Sequence, residues 1–382
     1  MKKTVSRKQT LRRRWLAAHL YLGIIFGSVF AVTGMTGSLL VFYIELDEIL
    51  NPELQVVFAQ TQPRLSYEAI FQALQRAEPD RQSAWRLEIP ADPQRMLSAR
   101  YYKPKETEHA PFAPLMVSID PYRGEVVKRR FWGRFAMTWI YDLHYMLLFD
   151  QAGKIMMAII GGMLLVSMAS GIYLWWPSPH KWRTALSVKL GASPERITYD
   201  LHKTAGVYSL IVILILALTG IALEIPEYVN PLIDAASPLR PLPKPHSHSQ
   251  AAHDNRITLD QAVAKAQRLF PDARLCWIET PQSDNGSYRI NLRQSFEPSQ
   301  RFPKTNVWVD QYNGEILAVN DPKYFSGGDR LISWLHPLHS GEAFALPGRL
   351  LVLVTGLLCP LLLLTGMLRW WQKRRAKRTR PH

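Results

Sequence analysis

"WLHPLHSGEAFALPGRLLVLVTGLLCPLLLLTGMLRWW", residues 334–371, puts two histidines three apart at the mouth of a long apolar run that closes on a tryptophan pair. "WIYDLHYMLLFDQAGKIMMAIIGGMLLVSMASGIYLWW", residues 139–176, follows the same plan without a gap. His144 matches His339, Gly153 matches Gly348, Gly161 matches Gly356, Gly171 matches Gly366 and Trp176 matches Trp371, always at an offset of 195 (339 − 144, 371 − 176). Two further runs match at an offset of 183 (202 − 19, 220 − 37): "HLYLG" at 19–23 pairs with "HKTAG" at 202–206, and Thr36-Gly37 with Thr219-Gly220.

Working outward, the segments between these runs also resemble one another. "SYEAIFQALQRAEPD" (66–80) and "TLDQAVAKAQRLFPD" (258–272) each begin with a cap-like hydroxyl and show an apolar helical period. "LMVSIDPYRGEVV" (115–127) and "VWVDQYNGEIL" (307–317) each read as strand, tight turn, strand. The chain is therefore expected to repeat once: span, small helix-plus-strand domain, span. Both copies start on the same side, which makes them parallel repeats about an axis along the membrane normal.

The chain has 382 residues, 47% of them hydrophobic, with a formal net charge of +15. Each apolar run is long enough for a helix to cross a bilayer, which takes about 20 residues. Basic residues crowd 1–15, 177–201 and 372–382, so positive-inside logic places these three segments in the cytoplasm. The expected order is a basic N-terminus (1–15), spans at 16–44, 153–176, 202–225 and 348–371, and periplasmic domains at 45–138 and 257–333. Histidine segments (139–152, 334–347) precede spans two and four on the outer face, and a stiff Pro-rich linker occupies 226–256. The fold class is thus an α-helical four-span membrane bundle carrying two small α+β domains. A nucleic-acid role is disfavoured because the basic residues abut spans. The N-terminal apolar run is too long for a signal-peptide core and reads as a retained span.

Cys276 and Cys359 are the two cysteines. With no C-x-x-C and no C-x-x-C-H, thioredoxin-type redox chemistry and covalent haem are not indicated. No G-x-G-x-x-G follows a strand, so no nucleotide or flavin domain is expected and the electron donor is a separate partner.

The repeat turns scattered histidines into pairs: His19 with His202 at the inner ends of spans, His144 with His339 at the outer ends. Imidazoles facing each other across a two-fold axis suit bis-histidine haem ligation, one haem near each face. Zinc is less suited, since two imidazoles fall short of a closed tetrahedral site. Gly23, Gly27, Gly34 and Gly37 fall on the His19 side of span one, and Gly206 and Gly220 on the His202 side of span three. They would seat a flat porphyrin or let helices approach closely. His336, whose counterpart is Tyr141, fits a substitute ligand, a haem-propionate or substrate contact, or an ordinary interfacial histidine. Arg14, Lys154, Lys203 and Arg349 would either neutralise propionates or anchor in lipid headgroups. His246, His248 and His253 in the linker region read as a metal site or a solvated loop.

The combination of "HLYLG", the "LH…GK/GR…G…G…WW" spans, the paired outer segments and "VWVDQYNGEI" resembles bacterial PepSY-associated transmembrane proteins, including iron-regulated inner-membrane proteins. The resemblance covers nearly the whole chain. It implies two haem b groups and reduction of a ferric siderophore of the hydroxamate type, such as ferrioxamine, on the periplasmic face of the bacterial inner membrane. The family's membrane histidines map onto His19, His144, His202 and His339, with His336 outside the shared pattern. The expected substrate site lies between the two outer domains. Two other classes stay open: a membrane-anchored module that binds or regulates a periplasmic protein, and a permease for iron, haem or siderophore.

Overall fold

A computed structural model describes residues 6–56, 63–248 and 256–378. The chain divides into two compact units, residues 1–42, 140–229 and 338–382 forming one and 43–139 and 230–337 the other.

The first unit is helical. It contains α1 (Arg7–Ile25), α2 (Gly27–Leu40), the end of α5 (Ala136–Met146), α6 (Asp150–Trp175), α7 (Trp182–Ala185), α8 (Pro194–Glu224), the end of α11 (Gly327–Ser340) and α12 (Ala345–Arg378). Among the described residues, three of its helices are long and apolar enough to cross a membrane, which makes up to four spans if the bent pair α1–α2 counts as one. This is a membrane protein. The first expected span is not a single straight helix: α1 and α2 meet at Phe26 with a 54° bend. The third helix starts earlier than expected, at Pro194, because Pro supplies a helical φ where no N–H is needed, and Ser193 precedes it. His202 therefore sits two turns inside α8 rather than at its start.

Close helix approach is built from glycine. A Cβ on Gly34 of α2 would lie 2.6 Å from the carbonyl oxygen of Gly356 on α12. Beside this contact the Ser38 hydroxyl donates to the Leu353 carbonyl at 2.8 Å. Gly34 and Gly356 thus serve helix packing.

The second unit is built on one antiparallel sheet of eight strands in the order β4-β3-β2-β1-β5-β6-β7-β8. These are β1 (Trp85–Glu88), β2 (Leu97–Tyr101), β3 (Leu115–Ile119), β4 (Val126–Phe131), β5 (Arg274–Glu279), β6 (Ser287–Arg293), β7 (Thr305–Asp310) and β8 (Ile316–Asn320). The expectation of two separate outer domains is corrected here. β1 and β5 pair antiparallel, Leu87 opposite Ile278, so the two four-stranded halves fuse and neither leaves that edge open.

Helices α4 (Tyr67–Ala77) and α10 (Leu259–Leu269) pack on the sheet through Ile70, Leu74, Val263 and Ala266, against Leu87, Val117, Ile278, Ile290 and Val307. Their N-termini exchange carboxylates. Asp260 accepts from the Tyr67 and Glu68 amides at 3.0 and 2.9 Å, and Glu68 accepts from the Leu259 amide at 2.9 Å. Each acid satisfies orphan amides and the positive end of the other helix. The two predicted turns share one geometry. Asp120 and Asp310 each accept from amides two and three residues on, and Gly124 and Gly314 each take φ +71°.

The linker expectation is also corrected. Residues 226–236 form helix α9 (Pro226–Ala236), followed by irregular chain. Pro226 sits in the first turn, where a missing N–H costs nothing, and Tyr228, Val229, Leu232 and Ile233 give the segment a helical apolar period. α3 (Tyr43–Leu50) belongs to this unit as well; its Asp47 makes a two-pronged ion pair with Arg130 of β4, both contacts 2.8 Å.

Ile278 is fully buried at the seam between the halves. Ile278→Ala should cost about 2–5 kcal/mol, read as a lower unfolding midpoint for the sheet unit in the full-length protein. An unchanged midpoint would contradict the fused core.

Candidate functional site

Four histidines of the helical unit come together as two pairs. The His19 and His202 ring centroids are 6.2 Å apart with planes crossed at 82°, and those of His144 and His339 are 6.1 Å apart at 58°. His19 comes from α1, His202 from α8, His144 from the end of α5 and His339 from the end of α11.

Each ring is fastened by a helix other than its own. His19 Nδ1 lies 2.9 Å from the Ser170 hydroxyl and 3.1 Å from the Ser167 carbonyl on α6. His202 Nδ1 lies 3.0 Å from the Thr365 hydroxyl and 3.1 Å from the Leu362 carbonyl on α12. His144 Nδ1 lies 3.1 Å from the Thr36 hydroxyl and 2.9 Å from the Thr33 carbonyl on α2. His339 Nδ1 lies 3.0 Å from the Thr219 hydroxyl and 3.1 Å from the Leu216 carbonyl on α8. In every case the hydroxyl residue stands three after the carbonyl residue and is followed by glycine.

Those glycines lie under the rings. A Cβ would come within 2.8 Å of the His144 ring at Gly37, 3.1 Å of His339 at Gly220, 3.2 Å of His19 at Gly171 and 3.3 Å of His202 at Gly366. A side chain at Gly37 would force the imidazole to shift, and one at the other three would press against it more tightly than ordinary contact. Gly37 and Gly220 therefore lie against the His144 and His339 rings themselves. Gly27 meets Leu363 at 3.0 Å, while Gly23 and Gly206, one turn after His19 and His202, meet nothing nearer than 3.7 Å.

The hydrogen bonds also settle the tautomer. The hydroxyls of Ser170, Thr365, Thr36 and Thr219 each donate to a carbonyl of their own helix, at 2.7, 2.7, 2.8 and 2.7 Å. With that proton committed, the hydroxyl oxygen accepts from Nδ1–H, as the carbonyl must. The proton sits on Nδ1, and Nε2 keeps its lone pair for a metal.

The spacing fits iron between the rings. Imidazole nitrogen lies about 2.0–2.1 Å from a first-row metal and the ring centre about 1.1 Å beyond it, so two trans imidazoles need centroids roughly 6.2–6.4 Å apart. The first pair, at 6.2 Å, falls in that range and the second, at 6.1 Å, lies just below it, while a Cβ at Gly23 or Gly206 would meet nothing nearer than 3.7 Å. His202 and Thr219 are 17 residues apart on α8, so the pairs lie about 25 Å apart along that helix, close to the roughly 30 Å thickness of a bilayer core.

The other predicted residues go elsewhere. His336 belongs to the sheet unit, with its ring edge-on to Phe302 at 4.8 Å. Lys203 donates to Asp200 at 2.8 Å and to the Thr184 and Ser187 carbonyls, tying the loop that carries α7 to the start of α8. Arg349 donates to the Val41 carbonyl at 2.7 Å and stacks on Phe42. Lys154 lies over the Tyr145 ring at 4.7 Å, and Arg14 is exposed. His246 is exposed, His248 bonds the turn-forming Asp310 at 3.2 Å, and His253 lies outside the described residues. Sequence reasoning passed over Ser170 and Thr365. The signal was there: hydroxyl-glycine recurs at 170-171 and 365-366 with the same offset of 195 as the histidines (365 − 170).

Both cysteines are free thiols. Burial pushes the Cys276 thiol up to about 11, so it stays protonated and is a poor metal ligand. In a Cys359→Ser background at about pH 8, unfolding should accelerate alkylation by iodoacetamide more than about tenfold. Equal rates for folded and unfolded protein would contradict that burial.

No curated protein matches the sequence. The sequence model of one family matches residues 16–373, nearly the full chain. The chain belongs to the family of the PepSY-associated TM region.

Proposed function

We propose that this protein is a di-haem reductase of the bacterial inner membrane that delivers electrons to a ferric hydroxamate siderophore, such as ferrioxamine, in the periplasm. The observation that carries the reading is the pair of facing imidazoles at 6.2 and 6.1 Å, set about 25 Å apart along α8. The resemblance to inner-membrane siderophore reductases of the FoxB type supplies the substrate class.

In this reading the chain is a parallel two-fold repeat of four spans, with both termini cytoplasmic and the sheet unit periplasmic. His19 and His202 hold a haem b near the inner face, and His144 and His339 hold one near the outer face. When bound, each haem supplies one-electron chemistry at its leaflet. The chain's own residues keep each Nδ1 protonated, present each Nε2, and exclude side chains from the ligand planes. A cytoplasmic or membrane electron donor loses one electron for each Fe(III) reduced to Fe(II). Hydroxamate oxygens are hard donors that grip Fe(III) far better than Fe(II), so reduction releases the metal.

Protein expressed with ample haem should show a Soret peak and, on dithionite reduction, sharp α and β bands. Alanine at any one of His19, His202, His144 or His339 should halve the haem content and abolish release of Fe(II) to ferrozine from ferrioxamine in pre-reduced proteoliposomes. Colourless protein would point to an anchor or permease instead. Full haem with no iron release would contradict the reductase.

A further inference from the structure

We infer that the four hydroxyl-glycine steps, Ser170-Gly171, Thr365-Gly366, Thr36-Gly37 and Thr219-Gly220, are positioning residues that fix the ligand ring planes, and that they hold the two pairs at unequal crossing angles so that the two haems are electronically distinct. The inference rests on the di-haem reading above. A ring free to spin about its Nε2–iron direction has no fixed plane. Here each Nδ1–H is shared between a carbonyl and a hydroxyl on one neighbouring helix, and the ring edge rests on that helix at a glycine. Two acceptors and a floor leave one azimuth.

The azimuths differ between pairs. The planes of His19 and His202 cross at 82°, close to perpendicular, and those of His144 and His339 at 58°. The second pair is also seated less evenly, with Gly37 closer to its ring than Gly220. In low-spin ferric iron an imidazole raises the d orbital that lies across its plane. Perpendicular rings raise two such orbitals alike and leave them nearly degenerate, which gives an anisotropic resonance with one large g value. Less crossed rings raise them unequally, which gives a more rhombic resonance. Ring orientation is thereby one of the outer influences by which protein groups tune a bound metal.

Electron paramagnetic resonance of the full-length, haem-loaded ferric protein in nanodiscs reads this directly. Wild type should give two low-spin signals, one with a markedly larger leading g value. Ser170→Ala combined with Thr365→Ala should shift that signal, or lose that haem alone, while the more rhombic signal stays. Thr36→Ala combined with Thr219→Ala should do the reverse, and Ser170→Thr should leave both signals in place. A single common signal in wild type, or two signals unmoved by both double variants at full haem content, would overturn the inference. Wild-type protein with no haem signal would instead overturn the di-haem reading and this inference with it.

Discussion

Each candidate ligand imidazole is held by a hydrogen bond from Nδ1 to a neighbouring helix, and the helical unit is arranged around that bond. A carbonyl accepts it, a hydroxyl three residues later shares it, and the next residue is glycine so that the ring can come close. The bond works only if two helices meet in one register, because a shift by one residue brings up a side chain in place of the glycine. It is made four times, between α1 and α6, α8 and α12, α5 and α2, and α11 and α8. Helix packing and ligand geometry are therefore one constraint.

A hydroxyl inside a membrane is costly unless its proton has an acceptor. Ser170, Thr365, Thr36 and Thr219 meet this by bonding within their own helices. The same bond forces the hydroxyl to be an acceptor toward histidine, which keeps the proton on Nδ1. Satisfying a buried hydroxyl and choosing the tautomer are thus the same act. The sheet unit solves a related problem differently: fusing β1 to β5 pairs two rows of backbone groups that would otherwise be open edges, and Asp260 and Glu68 cross-cap the two helices above.

Much of this was legible in the sequence because it is periodic. The offsets of 195 and 183 aligned His144 with His339 and His19 with His202, and both pairs meet in space. The turn glycines Gly124 and Gly314 and the caps Ser66 and Thr258 were readable because turn and cap chemistry is local. What was missed is long-range. Ser170 serves a histidine 151 residues away, and no local pattern names its partner. The β1–β5 seam joins strands 191 residues apart (278 − 87), so matching the two similar segments to each other could not predict that they pair. Pro226 to Ala236 looked like a stiff linker because proline count outweighed the apolar period of Tyr228, Val229, Leu232 and Ile233. The bend at Phe26 falls beside Gly27-Ser28, a Gly/Ser pair of the kind that kinks helices, and that signal was passed over among the other glycines of the run.

The central claim is that iron sits between facing imidazoles at both ends of the helical unit. An experimental density map of the haem-replete protein tests it most directly. The account predicts a flat macrocycle between His19 and His202 and another between His144 and His339, each Nε2 on iron and each Nδ1 against its hydroxyl-glycine step. Rings that pack on one another with no density between them, or that turn Nδ1 toward the partner ring, would contradict it.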